Sequence, residues 1–219
     1  MADIQGIVAE VQGACQNYQK TSAEMQELES NIEMLSSECN QIQGRISSIE
    51  SQISSLQMQA EMIMDNMNRR SGDEEYDSSS DVSALRSIQS QMQALQADGA
   101  PLQNRYVQIE QQLRTLQNAY DQKKAYLDNL RNYLEGVRTQ MANAANQLQN
   151  KILQLDNAVS TFSGAAGNMF GGSALAQAGN LQNSRNECQA NLTIAQNVLD
   201  LISSTIDDQG SAYTRVLRR

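Results

Sequence analysis

The sequence predicts an all-α fold, an elongated antiparallel coiled coil of three long helices, with a two-helix arm at one end and a three-helix bundle at the other. Three observations lead there. Apolar residues recur in alternating steps of four and three along most of the chain, which is the spacing of a left-handed coiled-coil seam. One proline and no tryptophan occur in 219 residues, fewer turn-forming and aromatic residues than sheet folds use. Only two stretches lose the period, and they divide a single domain, residues 1–219, into three helices.

The first helix is expected over 3–68. Its seam reads Leu28, Ile32, Leu35, Cys39, Ile42, Ile46, Ile49, Ile53, Leu56, Ala60, Ile63 and Met67. Upstream it continues through Ile4, Val8, Val11, Cys15 and Tyr18. An extra three-residue step near Thr21 and Ser22 is needed to reach Met25, a stammer that overwinds the supercoil locally. Residues 69–81 are acidic, serine-rich and without period, so they are expected to form an exposed loop. Ser80 or Asp81 is placed to cap the next helix by accepting a hydrogen bond from a free backbone N–H.

The second helix is expected over 82–161. Its seam runs Leu85, Ile88, Met92, Leu95, Gly99, Leu102, Tyr106, Ile109, Leu113, Leu116 and Tyr120, then, past the polar Lys123, from Leu127 to Phe162. Pro101 removes a backbone hydrogen bond and crowds the turn before it, so a kink or short break is expected near 99–101 with the same face kept beyond it. Four glycines make 162–173 a loop. A third helix over 174–208 uses Leu181, Cys188, Leu192, Ala195, Leu199, Ile202 and Ile206, with fraying expected near Gly210 and a resumption through Tyr213 and Leu217. Two reversals then lay the first and third helices beside the same half of the second.

The composition argues against chemistry. Histidine is absent and the three cysteines, Cys15, Cys39 and Cys188, stand far apart. Neither a catalytic triad nor a zinc set can be assembled from them. Asp73-x-Glu75-x-Asp77 has the opening spacing of a calcium loop, but Ser78 replaces the turn glycine and Ala84 the closing glutamate. No enzyme activity, cofactor or metal is therefore expected. A net charge of −9 with scattered cations gives phosphate no concentrated basic face, so nucleic acid is not an expected partner. No run approaches the roughly 20 apolar residues of a membrane span, so membrane contact is not expected. The first residues lack the segments of a secretory signal, so a cytoplasmic protein is expected, or one exported without a signal peptide.

Two features are candidates for contact. Met58, Met62, Met64 and Met67 gather near the end of the first helix, and flexible thioether side chains suit an adaptable surface. They serve equally as plastic filler for a loosely packed coil end. The second feature is Phe162-Ser163-Gly164-Ala165-Ala166, followed by Phe170, between two helices. As a helical-hairpin connection it needs no further role.

These residues resemble the turn of the WXG-type family of type VII (ESX) secretion, in which Trp-x-Gly, small residues and a trailing aromatic join two antiparallel helices. Phe162 stands for the tryptophan, Gly164 for the glycine and Phe170 for the trailing aromatic. The resemblance covers about Leu113 to the end, and related LXG-type proteins and their small helical partners are similar in plan. The family's Tyr-x-x-x-Asp/Glu export spacing is met by Tyr106 and Glu110, ahead of the turn, whereas Leu217 occupies the acidic position after Tyr213. The resemblance implies a helical interaction protein that type VII secretion exports, or that partners an exported protein. Its partner would be another helical protein or a second copy of the chain. The alternatives are an intracellular coiled-coil scaffold or spacer, and an α-helical pore-forming protein that inserts Ala158 to Gly179.

Overall fold

A computed structural model describes residues 4–71, 77–165 and 171–216. Three α-helices account for nearly all of them: α1 (Ile4–Arg70), α2 (Ser79–Ala165) and α3 (Gly171–Val216). No strand occurs among the described residues, so the all-α expectation holds. Serines and threonines within the helices do not interrupt them. Ser51, Ser83, Thr115, Thr139, Thr161, Thr193 and Thr205 each donate their hydroxyl to the carbonyl four residues back, which satisfies the side chain inside the helix.

Contacts group the chain into two compact units. Unit 1 comprises residues 1–25 and 122–219, and unit 2 comprises residues 26–121.

Unit 1 holds parts of all three helices. Glu10 of α1 meets Tyr133 of α2, and Glu24 meets Lys123, so one number rises as the other falls and the two helices run antiparallel. Asp156 of α2 pairs with Arg185 of α3, and Ile152 clusters with Cys188 and Leu192, so this pair is antiparallel too. The core includes Val11, Cys15, Tyr18, Met25, Leu134, Met141, Ala195, Val198 and Ile202. Counting back from the Glu10–Tyr133 contact sets the start of α1 beside about residue 139 of α2. The Ile152–Cys188–Leu192 cluster lies about 20 Å further along α2 and joins it to α3. Unit 1 thus contains helix pairs of α1 with α2 and of α2 with α3.

Unit 2 is a pair of antiparallel helices from α1 and α2, with Glu29 against Tyr120, Glu38 against Arg105 and Ile49 against Gly99. Among its described residues only Ile42, Ile88 and Ile109 are fully buried hydrophobics. The other seam residues are half-covered, since one partner helix shields each side chain from one side only. From Ser51 to Arg70 the residues that are not exposed are Ile53, Leu56, Ala60, Ile63 and Met67. These are the seam positions read from the period.

Five local expectations are corrected. Of the kink or short break expected near 99–101, the break is absent: α2 is helical through Pro101. The ring leaves the Ala97 carbonyl without its N–H partner, but Ala97 and Pro101 are both exposed, so water can take that role. The acidic loop ends earlier than expected, because α2 begins at Ser79 and Asp77 organises its start. Asp77 Oδ1 accepts from the Ser79 N–H at 2.9 Å, and Oδ2 accepts from the Ser79 hydroxyl at 2.8 Å. Ser78 occupies the cap position expected of Ser80 or Asp81, its carbonyl accepting from the Val82 N–H at 3.0 Å. The glycine-rich loop is shorter than 162–173, since α2 runs to Ala165 and α3 starts at Gly171. A glycine costs a helix about 1 kcal/mol in its interior and little at an end, and Gly164 and Gly171 lie at ends. Finally, α3 continues past 208 to Val216.

Candidate functional site

The methionines near the end of α1 are brought together only in part. Met58 and Met62 are one helical turn apart and face outward, with 59% and 60% of their surface exposed. Met64, at 45%, flanks the seam. It lines an open groove of about 430 Å³ with Ala60 on its own helix and Leu85, Ile88 and Met92 on α2. Gln89, Gln93 and Gln96 border this groove, so its rim is polar and uncharged. Met67 is half-buried in the seam and belongs to the packing of the pair. Met58 and Met62 thus form an exposed apolar patch near this end of α1, and the groove lies in the same part of unit 2.

The second candidate is described only in part. Phe162 is exposed and lies, with Ser163 and Gly164, in the last turn of α2 rather than in a loop. A Cβ added at Gly164 would meet nothing within 4 Å, so no close approach requires glycine there. Phe170 lies outside the described residues.

Tyr106 and Glu110, which have the export-signal spacing, are engaged within unit 2. Tyr106 sits half-buried in the seam beside Cys39, and the negative charge of Glu110 raises its hydroxyl pKa, helped by hydrogen bonds to Glu110 and Cys39. All three cysteines are free, with Cys15 and Cys188 buried, as their seam positions imply.

The polar contacts across the helices have a common direction that periodicity does not reveal. Four carboxylates of α1, Glu10, Glu24, Glu29 and Glu38, accept from Tyr133, Lys123, Tyr120 and Arg105 of α2. Lys123 stands where the seam of α2 turns polar. Its Nζ lies 2.5 Å from Glu24 Oε2 and holds that carboxyl below the usual carboxylate range. A polar residue at a seam position costs stability and selects one register. Arg185 stands four residues on from Leu181 in the seam of α3, where it meets Asp156. The polar Lys123 in the seam of α2 was visible in the sequence, but its partner carboxylate lies on another helix.

Among the described residues no three His, Cys, Asp or Glu side chains converge to hold a metal ion, and no helix is long and apolar enough to cross a membrane. No family model, curated protein or solved structure matches the chain.

Proposed function

We propose that this chain is a non-enzymatic helical interaction protein whose exposed methionine face on α1 receives another helical protein or a second copy of itself. The observation that carries this reading is the pair Met58 and Met62, both more than half exposed beside the groove lined by Met64, Leu85 and Ile88. Large apolar side chains grouped on a surface mark contact sites more often than single ones do. Unbranched thioethers adapt to varied partners.

The resemblance of Phe162-Ser163-Gly164 to the WXG-type turn, with an antiparallel α2–α3 pair around it, supports export by type VII secretion or partnership with an exported protein. An intracellular spacer is the second reading. It is favoured by the register of unit 2, where Glu29–Tyr120 and Glu38–Arg105 hold two long helices in fixed alignment.

Sedimentation velocity over a range of concentrations tests the docking face, using the full chain and a Met58→Asp/Met62→Asp variant. Self-association lost in the variant supports pairing of two copies. A chain monomeric throughout directs the test to co-purification with a helical protein encoded beside it. Equal binding of that protein by parent and variant overturns the methionine face. Appearance in culture medium that depends on a type VII ATPase supports export, whereas strict retention supports the spacer.

A further inference from the structure

We propose that Met58, Met62 and Met64 are a sulfoxidation site, modified by peroxide-class oxidants ahead of the core methionines, and that the product loosens the helical pair of unit 2 near the groove. This goes beyond docking and concerns the chain while that face is uncovered.

The case begins with access. A thioether reacts when an oxidant can reach its sulfur. Met58, Met62 and Met64 expose about half of their surface or more, whereas Met25 and Met141 are 3% and 4% exposed in unit 1. A peroxide reaches those core sulfurs only when the packing opens locally. Met34 is exposed as well, at 62%, but it stands alone on its stretch of α1, away from the groove. It serves as an internal reference for intrinsic reactivity.

The chemistry needs no residue beyond the methionine. The sulfur lone pair attacks one peroxide oxygen, an S–O bond forms as the O–O bond breaks, and the departing hydroxide takes a proton to leave as water. Sulfur loses two electrons and the peroxide gains them. The product is polar and chiral where the thioether was apolar.

The consequence differs by position. At Met58 and Met62 the new S–O dipole points into solvent and costs the fold little. At Met64 it lies beside Ala60, Leu85, Ile88 and Met92, where unit 2 has few fully buried side chains to spare. Hydration of that sulfoxide draws water into the groove and weakens the local pairing of α1 with α2.

The test treats the full chain with hydrogen peroxide, then with dithiothreitol, which reverses disulfides and sulfenates at Cys39 but leaves sulfoxides in place. Peptide mass spectrometry should find Met58, Met62 and Met64 oxidised about tenfold faster than Met25 and Met141, and at rates close to Met34. Amide hydrogen exchange should then quicken at 60–67 and 85–92 but not around Leu134. A Met58→Leu/Met62→Leu/Met64→Leu variant, which keeps side-chain volume, should show no quickening after the same treatment. Equal oxidation rates at exposed and core methionines overturn the proposal. So does quickened exchange in the leucine variant, or complete oxidation of the three in the parent with exchange unchanged.

Discussion

Arg105 of α2 grips Glu38 of α1 at two points, Nε donating to Oε1 at 2.8 Å and Nη2 to Oε2 at 3.1 Å. The planar guanidinium matches the carboxylate, so the contact fixes orientation as well as distance. Both side chains remain well exposed, and salt screens such a pair. A double-mutant cycle with Arg105→Met and Glu38→Gln should therefore show favourable coupling at low salt that shrinks towards zero near 1 M. Arg105→Lys, which keeps the charge and loses the fork, should recover only part of it. Coupling independent of salt would contradict the assignment.

Acid should weaken unit 1 through Glu24. The hydrogen bond from Lys123 lowers its pKa most, the charges of Lys123 and Lys20 add to this, and desolvation opposes them. A carboxyl held lower in the folded chain than in the unfolded one stabilises the fold above its unfolded pKa, and that contribution is lost as pH falls through the folded value. Denaturant midpoints measured from pH 7 down to pH 3 should fall across the carboxylate range. Glu24→Gln should make the fall shallower. An identical slope in that variant would remove Glu24 from the account.

The start of α2 should depend on Asp77. Its carboxylate is held below the ordinary range by the Ser79 backbone N–H first and by the Ser79 hydroxyl second. Asp77→Ala should speed amide exchange in the first turn, 79–83, while leaving the core around Leu134 protected. Asp77→Asn, which still accepts the backbone hydrogen bond, should restore most of the protection.

Gly99→Ala should stabilise the protein. An added methyl would lie 3.7 Å from Ile49 Cγ2, an ordinary contact distance, and alanine is favoured over glycine within a helix by about 1 kcal/mol. Thermal unfolding followed by circular dichroism checks the sign. A loss of stability would mean that α1 and α2 approach too closely there for any side chain.

Burial ranks the apolar substitutions. Leu134 is fully buried in unit 1, so Leu134→Ala should cost about 2–5 kcal/mol. Leu116 is a half-covered seam residue of unit 2, and Leu116→Ala should cost roughly half as much, because less apolar surface returns to water. Leu130, also a seam residue, is only half-buried and is therefore a weaker probe than Leu134. Urea titrations of the variants give the order.

The three-and-four spacing carries its information locally. Each apolar residue of α1 from Leu28 to Met67 declares helix and facing direction together, and burial in the structure follows it residue by residue. The outward position of Met58 and Met62 was legible for the same reason, since neither belongs to the series. Other features depend on helices distant in sequence. Ile152, Val198 and Thr205 are buried although the apolar series passed over them. Ile152 packs with Cys188 and Leu192 of α3.

Along α1, then, the chain by itself settled that rods form and which stripe of each rod is apolar, because a helix repeats its geometry every few residues. Tertiary packing decided what the repeat leaves open. It decided which carboxylate meets Arg105, Lys123 or Arg185. The structure also shows α2 running through Pro101 without a break. Those pairings depend on how side chains from separate helices fill one another's gaps, and no single helix holds that information.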